Sequence, residues 1–494
     1  MKNESSEYYK SKATYSIKWN SILSFSNFLV SFVVSIVLAR LLDPKDFGLI
    51  AMTTVFVSII SLFVDAGTGS GVIQKKEINQ TDLSTVFFYN LFIGFLAAAI
   101  LFFSAPAIAW FYEDNRLVNL VRVLSLSPLL TSLSVVQKNV MNRTLDLKKR
   151  IIAQVIGQVA AAIVGISLAL LDYGVWALVF SSLCSLAISS ILYWVQGKWS
   201  PSWVFNRDSF NEIWSFSKNI LYGNIISQFA QKMDILLIGK FVNPAVLGFY
   251  QKGRSLGQIP ANQIGVILTR SYFPILSRLQ HDLEDFRKYY LSQSTRIFLI
   301  TFPLFTAISL LSEKIIVFLY GTKWLPSAPF LALTGIVGLL YCNNAFKVYA
   351  CNALGRSYVT LRINAVMSPI RISLYLLVAF TFREQSPILF LSVIVLTQLI
   401  STVYMTVMIR KHVGLDTVDQ YSLFYKIIAS GLLSLALVFY LKRFIDFNPY
   451  VDLPVLVAVF VLINVSSLLI MKEKQAIIMV SKIKSKFGKR FSHV

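Results

Sequence analysis

Several Lys and Arg residues lie inside long apolar stretches of this chain, where a charged side chain is costly. They are Arg122, Lys232, Lys252, Arg254, Arg296, Arg371 and Lys426. A cation at mid-membrane costs on the order of 3 kcal/mol unless it is hydrated or paired. Lys252 and Lys426 lie near the ends of their stretches, where a long side chain can reach the headgroup region. The deeper cations need another explanation.

Phosphate binding is the chemistry that these cations fit best. A guanidinium group matches phosphate oxygens with two parallel hydrogen bonds, and most of the set falls in the second half of the chain. The sequence therefore predicts a water-filled cavity that holds an anion, contributed mainly by the second half. Its predicted binding residues are Arg254, Arg371, Arg296, Lys232 and Arg122.

Uncharged polar residues recur at helical spacing in the same stretches. The residues predicted to line the cavity are Asn27, Ser31, Asn224, Gln231, Gln258 and Asn262. Within each stretch their spacing keeps them on one face of a helix. Ser and Asn also join membrane helices to one another, so hydrogen-bonded helix packing is the competing interpretation.

Two acidic residues, Asp65 and Asp234, are placed as deeply as the cations. We predict a gate or a coupling site for H⁺ or Na⁺ at these carboxylates. The alternative for Asp65 is a helix-end acid paired with Lys75 or Lys76. The His and Cys residues of the chain lack the spacing of metal ligands, so neither a metal nor a bound cofactor is predicted.

The elements that must position these residues are membrane helices. The chain has 494 residues, of which 56% are hydrophobic and 14% charged, and its mean hydropathy is +0.65. Apolar runs of about 20 residues, enough to cross a bilayer, recur along it. We predict an all-α integral membrane protein of about 14 transmembrane helices, arranged as two pseudo-symmetric six-helix bundles plus a C-terminal helix pair.

An internal repeat supports the two-bundle prediction. The stretch Ile36–Ile50 returns as Leu236–Tyr250, with Pro44 matched by Pro244 and Gly48 matched by Gly248. A Pro- and Gly-containing break between two apolar runs is typical of a tight turn between membrane helices.

Lys and Arg are concentrated in alternate loops, which orients both termini towards the cytoplasm and accounts for most of the net charge of +22. Contact with anionic lipids explains the remainder, and no nucleic-acid partner is required. The predicted segments are an N-lobe (1–197), a cytoplasmic interfacial linker (198–219), a C-lobe (220–411), an extra helix pair (412–471) and a basic cytoplasmic tail (472–494).

The motifs ARLLDPKDFGLIAM, FVDAGTGSGVIQK and AWFYEDNRL resemble the polysaccharide transporter branch of the multidrug/oligosaccharidyl-lipid/polysaccharide (MOP) exporter superfamily. Within that branch the sequence is similar to the colanic-acid and O-antigen flippases. The resemblance is strongest over residues 15–120. It implies two six-helix lobes that rock about a central cavity, and intramembrane arginines for a pyrophosphate.

The resemblance also implies a substrate and partners. An undecaprenyl-pyrophosphate-linked oligosaccharide would be turned from the inner to the outer leaflet of the bacterial cytoplasmic membrane, without a chemical step. A polysaccharide polymerase and chain-length machinery are the implied protein partners. A multidrug cation antiporter of the same superfamily would need interior acids to outnumber cations, and the balance here is reversed. A polymerase or glycosyltransferase would need a large outer loop or a metal-binding Asp motif, and neither is visible.

Overall fold

The structure of the chain is a computed structural model. It describes residues 25–65, 67–75, 77–144, 146–382, 386–422, 424–441, 449–473, 475–478 and 481. The start of the first predicted span and most of the basic tail lie outside these residues. Within them the regular structure is helical and contains no strand, which confirms the all-α prediction.

The helices follow one another with short connections. In unit order along the chain they are α1 (Phe25–Leu41), α2 (Pro44–Asp65), α3 (Thr68–Gln74), α4 (Gln80–Tyr112), α5 (Arg116–Leu124), α6 (Leu126–Arg143), α7 (Leu147–Leu170), α8 (Val175–Gln196), α9 (Arg207–Phe241), α10 (Pro244–Ile267), α11 (Phe273–Arg278), α12 (Leu283–Leu310), α13 (Ser312–Tyr320), α14 (Ala328–Ala353), α15 (Tyr358–Thr381), α16 (Ser386–Val413), α17 (Thr417–Tyr421), α18 (Tyr425–Leu441) and α19 (Pro449–Ile470). A π-helix (Leu268–Tyr272) follows α10, and a 3₁₀-helix (Thr322–Ser327) precedes α14.

Ten candidate membrane spans in the described part of the chain are long and apolar enough to cross a bilayer. The helices α1 and α18 are apolar but shorter. The helices α9 and α10 are long enough, but polar and charged residues along them lower their hydropathy. They correspond to the spans predicted at residues 220–238 and 247–268, where the sequence places many of its polar side chains.

The chain divides into two compact units, unit 1 (Met1–Gly248) and unit 2 (Phe249–Val494). Unit 1 holds close helix pairs built on small residues. In α7 and α8, a Cβ added to Gly157 would overlap Ser189, and the Ser181 hydroxyl donates to the Ala161 carbonyl over 2.8 Å. Small residues at four-residue spacing let two membrane helices approach at backbone distance.

The two repeated turns contact each other inside unit 1. A Cβ built on Gly48 would overlap the carbonyl group of Pro244, and one built on Gly248 would overlap the carbonyl group of Pro44. The contact is reciprocal, as a pseudo-twofold repeat requires. Glycine is needed at both positions because the backbones touch.

The predicted linker 198–219 is fastened to unit 1, and its second part is helical, because α9 begins at Arg207 with the Asn206 side chain as its cap. Gln80 donates to the Ser200 carbonyl over 2.6 Å, and Ser84 accepts from the Ser202 backbone over 3.0 Å. The linker lies within unit 1, and the two compact units divide further along the chain, at Gly248. The assignment of residues to the predicted lobes stays a prediction.

Unit 2 is built around α12, α14 and α16. Its core includes Tyr290 stacked on Phe346, with ring centroids 5.2 Å apart. The pair α18 and α19 is joined to α12 and α13 by apolar contacts and by an ion pair, Lys314 Nζ to Asp452 Oδ2, at 2.6 Å. The described part of the extra helix pair is thus packed onto unit 2.

Candidate functional site

Arg254, Gln258 and Asn262 form a polar stripe along α10. On the neighbouring face, Gly253 and Gly257 bring α10 so close to α14 that an added Cβ would lie 2.8 Å from the Cβ atoms of Phe330 and Thr334, respectively. This packing leaves Arg254 half-buried beside the contact. Its Nη1 donates to the hydroxyl of the fully buried Tyr250 over 3.3 Å, and its Cζ lies 5.7 Å from that ring.

Beyond Arg254 the stripe becomes more open along α10. Gln258 is half-buried and Asn262 is exposed, and a Cβ on Gly265 would lie 3.9 Å from the Tyr341 hydroxyl of α14. One turn later, Thr269 Oγ1 donates to the Tyr349 hydroxyl over 2.7 Å. Thr269 lies in the π-helix, a geometry often found at functional sites. The sequence analysis missed Thr269 and Tyr349, although the continued spacing from Asn262 was a usable signal.

Arg371 lies in the same unit, on α15. It is half-buried, and its Nε donates to the Thr397 hydroxyl of α16 over 3.3 Å. The hydroxyl of Thr397 is neutral, so this contact orients the guanidinium without neutralising it. Arg254 and Arg371 thus each donate a hydrogen bond to a hydroxyl group within unit 2 or at its beginning.

Arg296 has different surroundings from Arg254 and Arg371. Its Nε donates to Gln475 Oε1 over 2.8 Å, and Gln475 in turn lies 3.3 Å from the Ser292 hydroxyl. These contacts direct the guanidinium towards the segment after α19. The structure therefore gives Arg296 a role in packing that segment; its predicted role in anion binding remains a prediction.

The predicted residues of α9 belong to unit 1. Asn224 and Gln231 are exposed, and Gln231 donates to the Ser227 hydroxyl over 2.8 Å. Lys232 is half-buried and Asp234 is fully buried. The structure thus brings these residues together on one helix, in a different unit from Arg254 and Arg371.

The other predicted residues of unit 1 contact neighbouring helices or lie at the surface. Ser31 lies 3.0 Å from the Asn27 carbonyl and 2.9 Å from Gln158 Oε1 of α7, as the helix-packing interpretation expects. The guanidinium of Arg122 is exposed and lies over the ring of Phe102, 5.2 Å from its centroid. These positions leave their predicted binding roles untested.

Asp65 lies at the end of α2, in a tightly connected turn. Its Oδ1 accepts from the Gly69 backbone over 3.2 Å. Lys75 forms ion pairs with Asp82 at 2.9 Å and Glu212 at 2.8 Å. Burial opposes the charged form of Lys75, but its hydrogen bonds to Glu212 and Asp82 outweigh that effect and raise the pKa of the ammonium group. The region after α2 is thus stabilised by the Asp65 hydrogen bond and by the two ion pairs of Lys75.

A buried cation that the sequence analysis overlooked is Lys347 of α14. It is 4% exposed, and its Nζ donates to the Thr406 hydroxyl over 2.7 Å and to the Tyr421 hydroxyl over 2.9 Å. The Tyr421 ring centroid lies 5.0 Å away. The apolar pattern predicts a span that ends at Phe346, which leaves Lys347 in the following loop. In the structure α14 continues to Ala353 and buries it.

Each unit contains an apolar cavity within the described residues. The cavity of unit 2 measures about 330 Å³ and is lined by residues of α12, α14 and α18, while that of unit 1 measures about 640 Å³ and lies between α6, α7 and α8. Neither is lined by a charged residue, so neither suits an anion. No group of three or more His, Cys, Asp or Glu residues that could hold a metal occurs in the described ranges.

Solved structures of two transporters share the fold of this chain. The structure titled lipid II flippase MurJ, inward closed conformation, matches 92% of this chain and 98% of its own, with a TM-score of 0.75 and 15% identity. An inward-facing MATE family multidrug resistance transporter of the MOP superfamily matches 78% and 94%, with a TM-score of 0.60 and 13% identity. At these identities the likeness establishes the fold.

The chain belongs to the family described as polysaccharide biosynthesis protein, which it matches over residues 37–329. The teichuronic acid biosynthesis protein TuaB of Bacillus subtilis (strain 168) is 28% identical over 329 residues, 65% of this chain and 67% of the relative. The lipopolysaccharide biosynthesis protein WzxC of Escherichia coli (strain K12) is 24% identical over 331 residues, 65% and 66%. The chain thus matches about two thirds of the length of these relatives. The predicted resemblance to a polysaccharide family is confirmed, and the fold matches that of a solved MOP superfamily transporter.

Proposed function

We propose that this chain is an exporter that turns an undecaprenyl-pyrophosphate-linked oligosaccharide from the inner to the outer leaflet of the bacterial cytoplasmic membrane. The observation that carries the proposal is Arg254, a half-buried guanidinium held by a tyrosine hydroxyl in the polar stripe of α10. A pyrophosphate offers the oxygens that such a group binds in a fork. Family membership supports the same substrate class.

The residues take different roles in this proposal. Arg254 and Arg371 bind the pyrophosphate, and Gln258 and Asn262 contact the sugar through their amide groups. Transport proceeds by alternating access and breaks no covalent bond. Coupling to H⁺ or Na⁺ through Asp65 or Asp234, and association with a polymerase and chain-length machinery, are further parts of the hypothesis.

The experiment is a genetic one with a chemical readout. Deleting the gene is expected to leave the lipid-linked oligosaccharide on the inner leaflet, where mass spectrometry of extracted lipids identifies its glycan. A plasmid copy of the native chain should restore surface polysaccharide. Normal surface polysaccharide in the deletion strain, with no accumulated lipid-linked glycan, would contradict the proposal.

A multidrug antiporter is the second candidate, because the fold also matches a MATE family transporter. The guanidinium groups of Arg254 and Arg371 instead favour an anionic substrate over an organic cation. The antiporter function predicts that the deletion strain becomes sensitive to cationic dyes while its surface polysaccharide is unchanged. Measuring both traits in one strain separates the two functions.

A further inference from the structure

A cluster of cations surrounds Tyr358 at the beginning of α15 and the end of α16. The Tyr358 hydroxyl lies 3.0 Å from His412 Nε2, and the two rings meet edge to face with centroids 6.0 Å apart. The Arg362 guanidinium lies over the Tyr358 ring, 5.1 Å from its centroid. The charges of Arg356 and Lys411 also act on His412. One tyrosine thus organises an arginine and a histidine, with two further cations beside them.

This cluster has no described carboxylate partner. Among the ion pairs of the described residues, none involves Arg356, Arg362, Lys411 or His412. The neighbouring Arg410 does have such a partner, Asp416, at 2.8 Å. Arg356, Arg362 and Lys411 thus carry positive charge with no carboxylate partner among the described ion pairs.

The helix dipoles explain only part of the cluster. Lys411 and His412 lie in the last turn of α16, where cations are favourable. Arg356 and Arg362 flank the first turn of α15, where cations are unfavourable, and that turn contains no acid. The residue before α15, Ser357, makes no capping hydrogen bond with its side chain. An excess of cations on inner loops explains the sign of the charge but not its arrangement around Tyr358.

We propose that Arg356, Arg362, Lys411 and His412 form a binding site for the phosphoryl group of an anionic lipid headgroup or of a soluble phosphate compound. The guanidinium groups supply paired hydrogen bonds, and the beginning of α15 adds backbone N–H groups and a favourable dipole. The helix ends that form this site are predicted to face the cytoplasm, so the lipid would belong to the inner leaflet. The site is separate from Arg254 and Arg371 and does not depend on the proposed export activity.

The test measures binding of fluorescent phosphatidic acid to the purified full-length protein in neutral detergent. Replacing Arg356→Gln together with Arg362→Gln is expected to weaken binding about tenfold or more, because two charge-assisted contacts are lost. The matched control is Lys198→Gln with Arg207→Gln, which removes two exposed cations from the linker region of unit 1. The control should bind within about twofold of the native chain.

Competition with inorganic pyrophosphate distinguishes the two sources of the phosphoryl group. Displacement of the lipid indicates that the site also accepts soluble phosphates, whereas no displacement assigns it to the membrane lipid. Equal weakening in the cluster variant and the control would overturn the proposal, since overall charge would then explain the binding.

A second variant keeps the test valid if the first does not fold. Arg356→Lys with Arg362→Lys retains both charges but loses the two-pronged hydrogen bonding. Binding is expected to weaken about threefold. Unchanged binding in this variant would also overturn the site. Normal export with weakened lipid binding would leave the proposed function intact, and the reverse result would leave this site intact.

Discussion

Buried and half-buried cations in this chain are stabilised in three different ways. Arg254 is held by a tyrosine hydroxyl and ring, Lys347 by two hydroxyls and a ring, and Lys314 by the carboxylate of Asp452. The three cations thus contact different polar groups: one hydroxyl, two hydroxyls and a carboxylate.

Arg254→Gln is expected to reduce export of the lipid-linked glycan at least tenfold, because the amide retains polarity but loses the charge. Surface polysaccharide per unit of membrane-inserted protein is the measurement. Lys426→Gln is the control, since it removes a half-buried cation of α18 to which no binding role is assigned, and it should export normally. Undiminished export by Arg254→Gln at native expression would rule out the assigned role.

Asp452→Asn is expected to destabilise unit 2 by about 3 kcal/mol, because it removes the carboxylate that pairs with Lys314 at a fully buried position. Thermal unfolding in detergent measures the change. The double variant Lys314→Met with Asp452→Leu should recover much of the loss, since both charges are removed together. Equal instability of the single and double variants would show that the ion pair has no special part in holding α19.

At the scale of elements, the two repeated turns pack so closely that they leave no room for a side chain at Gly48 or Gly248. The beginnings of α2 and α10 touch through Gly48 and Gly248, and each glycine lies against a proline carbonyl of the other turn. The linker before α9 is similarly fixed, since Gln80 and Ser84 hold its backbone. The repeated turns and the linker are therefore both fixed by contacts within unit 1.

Gly48→Ala and Gly248→Ala are each expected to lower stability by about 1–3 kcal/mol, because the added Cβ forces the two turns apart. Gly223→Ala is the matched control. Nothing lies within 4 Å of a Cβ at Gly223, so that variant should be neutral or stabilised by up to about 1 kcal/mol. Thermal unfolding of the three variants in one detergent tests this, and a stable Gly48→Ala chain would contradict the close backbone contact.

At the scale of the whole molecule, several contacts join loops that are predicted to lie on the same side of the membrane. Lys240 pairs with Glu113 at 2.7 Å, and both residues are predicted to lie outside. The Lys240 ammonium lowers the pKa of the Glu113 carboxyl. On the predicted inner side, Gln80 contacts the linker, and Tyr358 contacts His412. These contacts join loops of the same predicted side within each unit.

The absolute orientation can be tested with single cysteines in a chain whose native cysteines are replaced by alanine. Asn115→Cys, at an exposed position predicted outside, should react with a membrane-impermeant maleimide in intact cells. Ser200→Cys, predicted inside, should react only after permeabilisation. The opposite labelling pattern would reverse the orientation and with it the proposed direction of transport.

The sequence by itself determined the membrane class, the helical fold and the internal repeat, because hydropathy, helical spacing and turn residues are local properties. It also identified Arg254 and the polar stripe of α10. Only the tertiary structure decided which partner each buried cation meets: Arg296 contacts Gln475, and Lys347 is buried against Tyr421. Helical spacing fixes the face on which a side chain lies, but the helix that covers that face can come from a distant part of the chain.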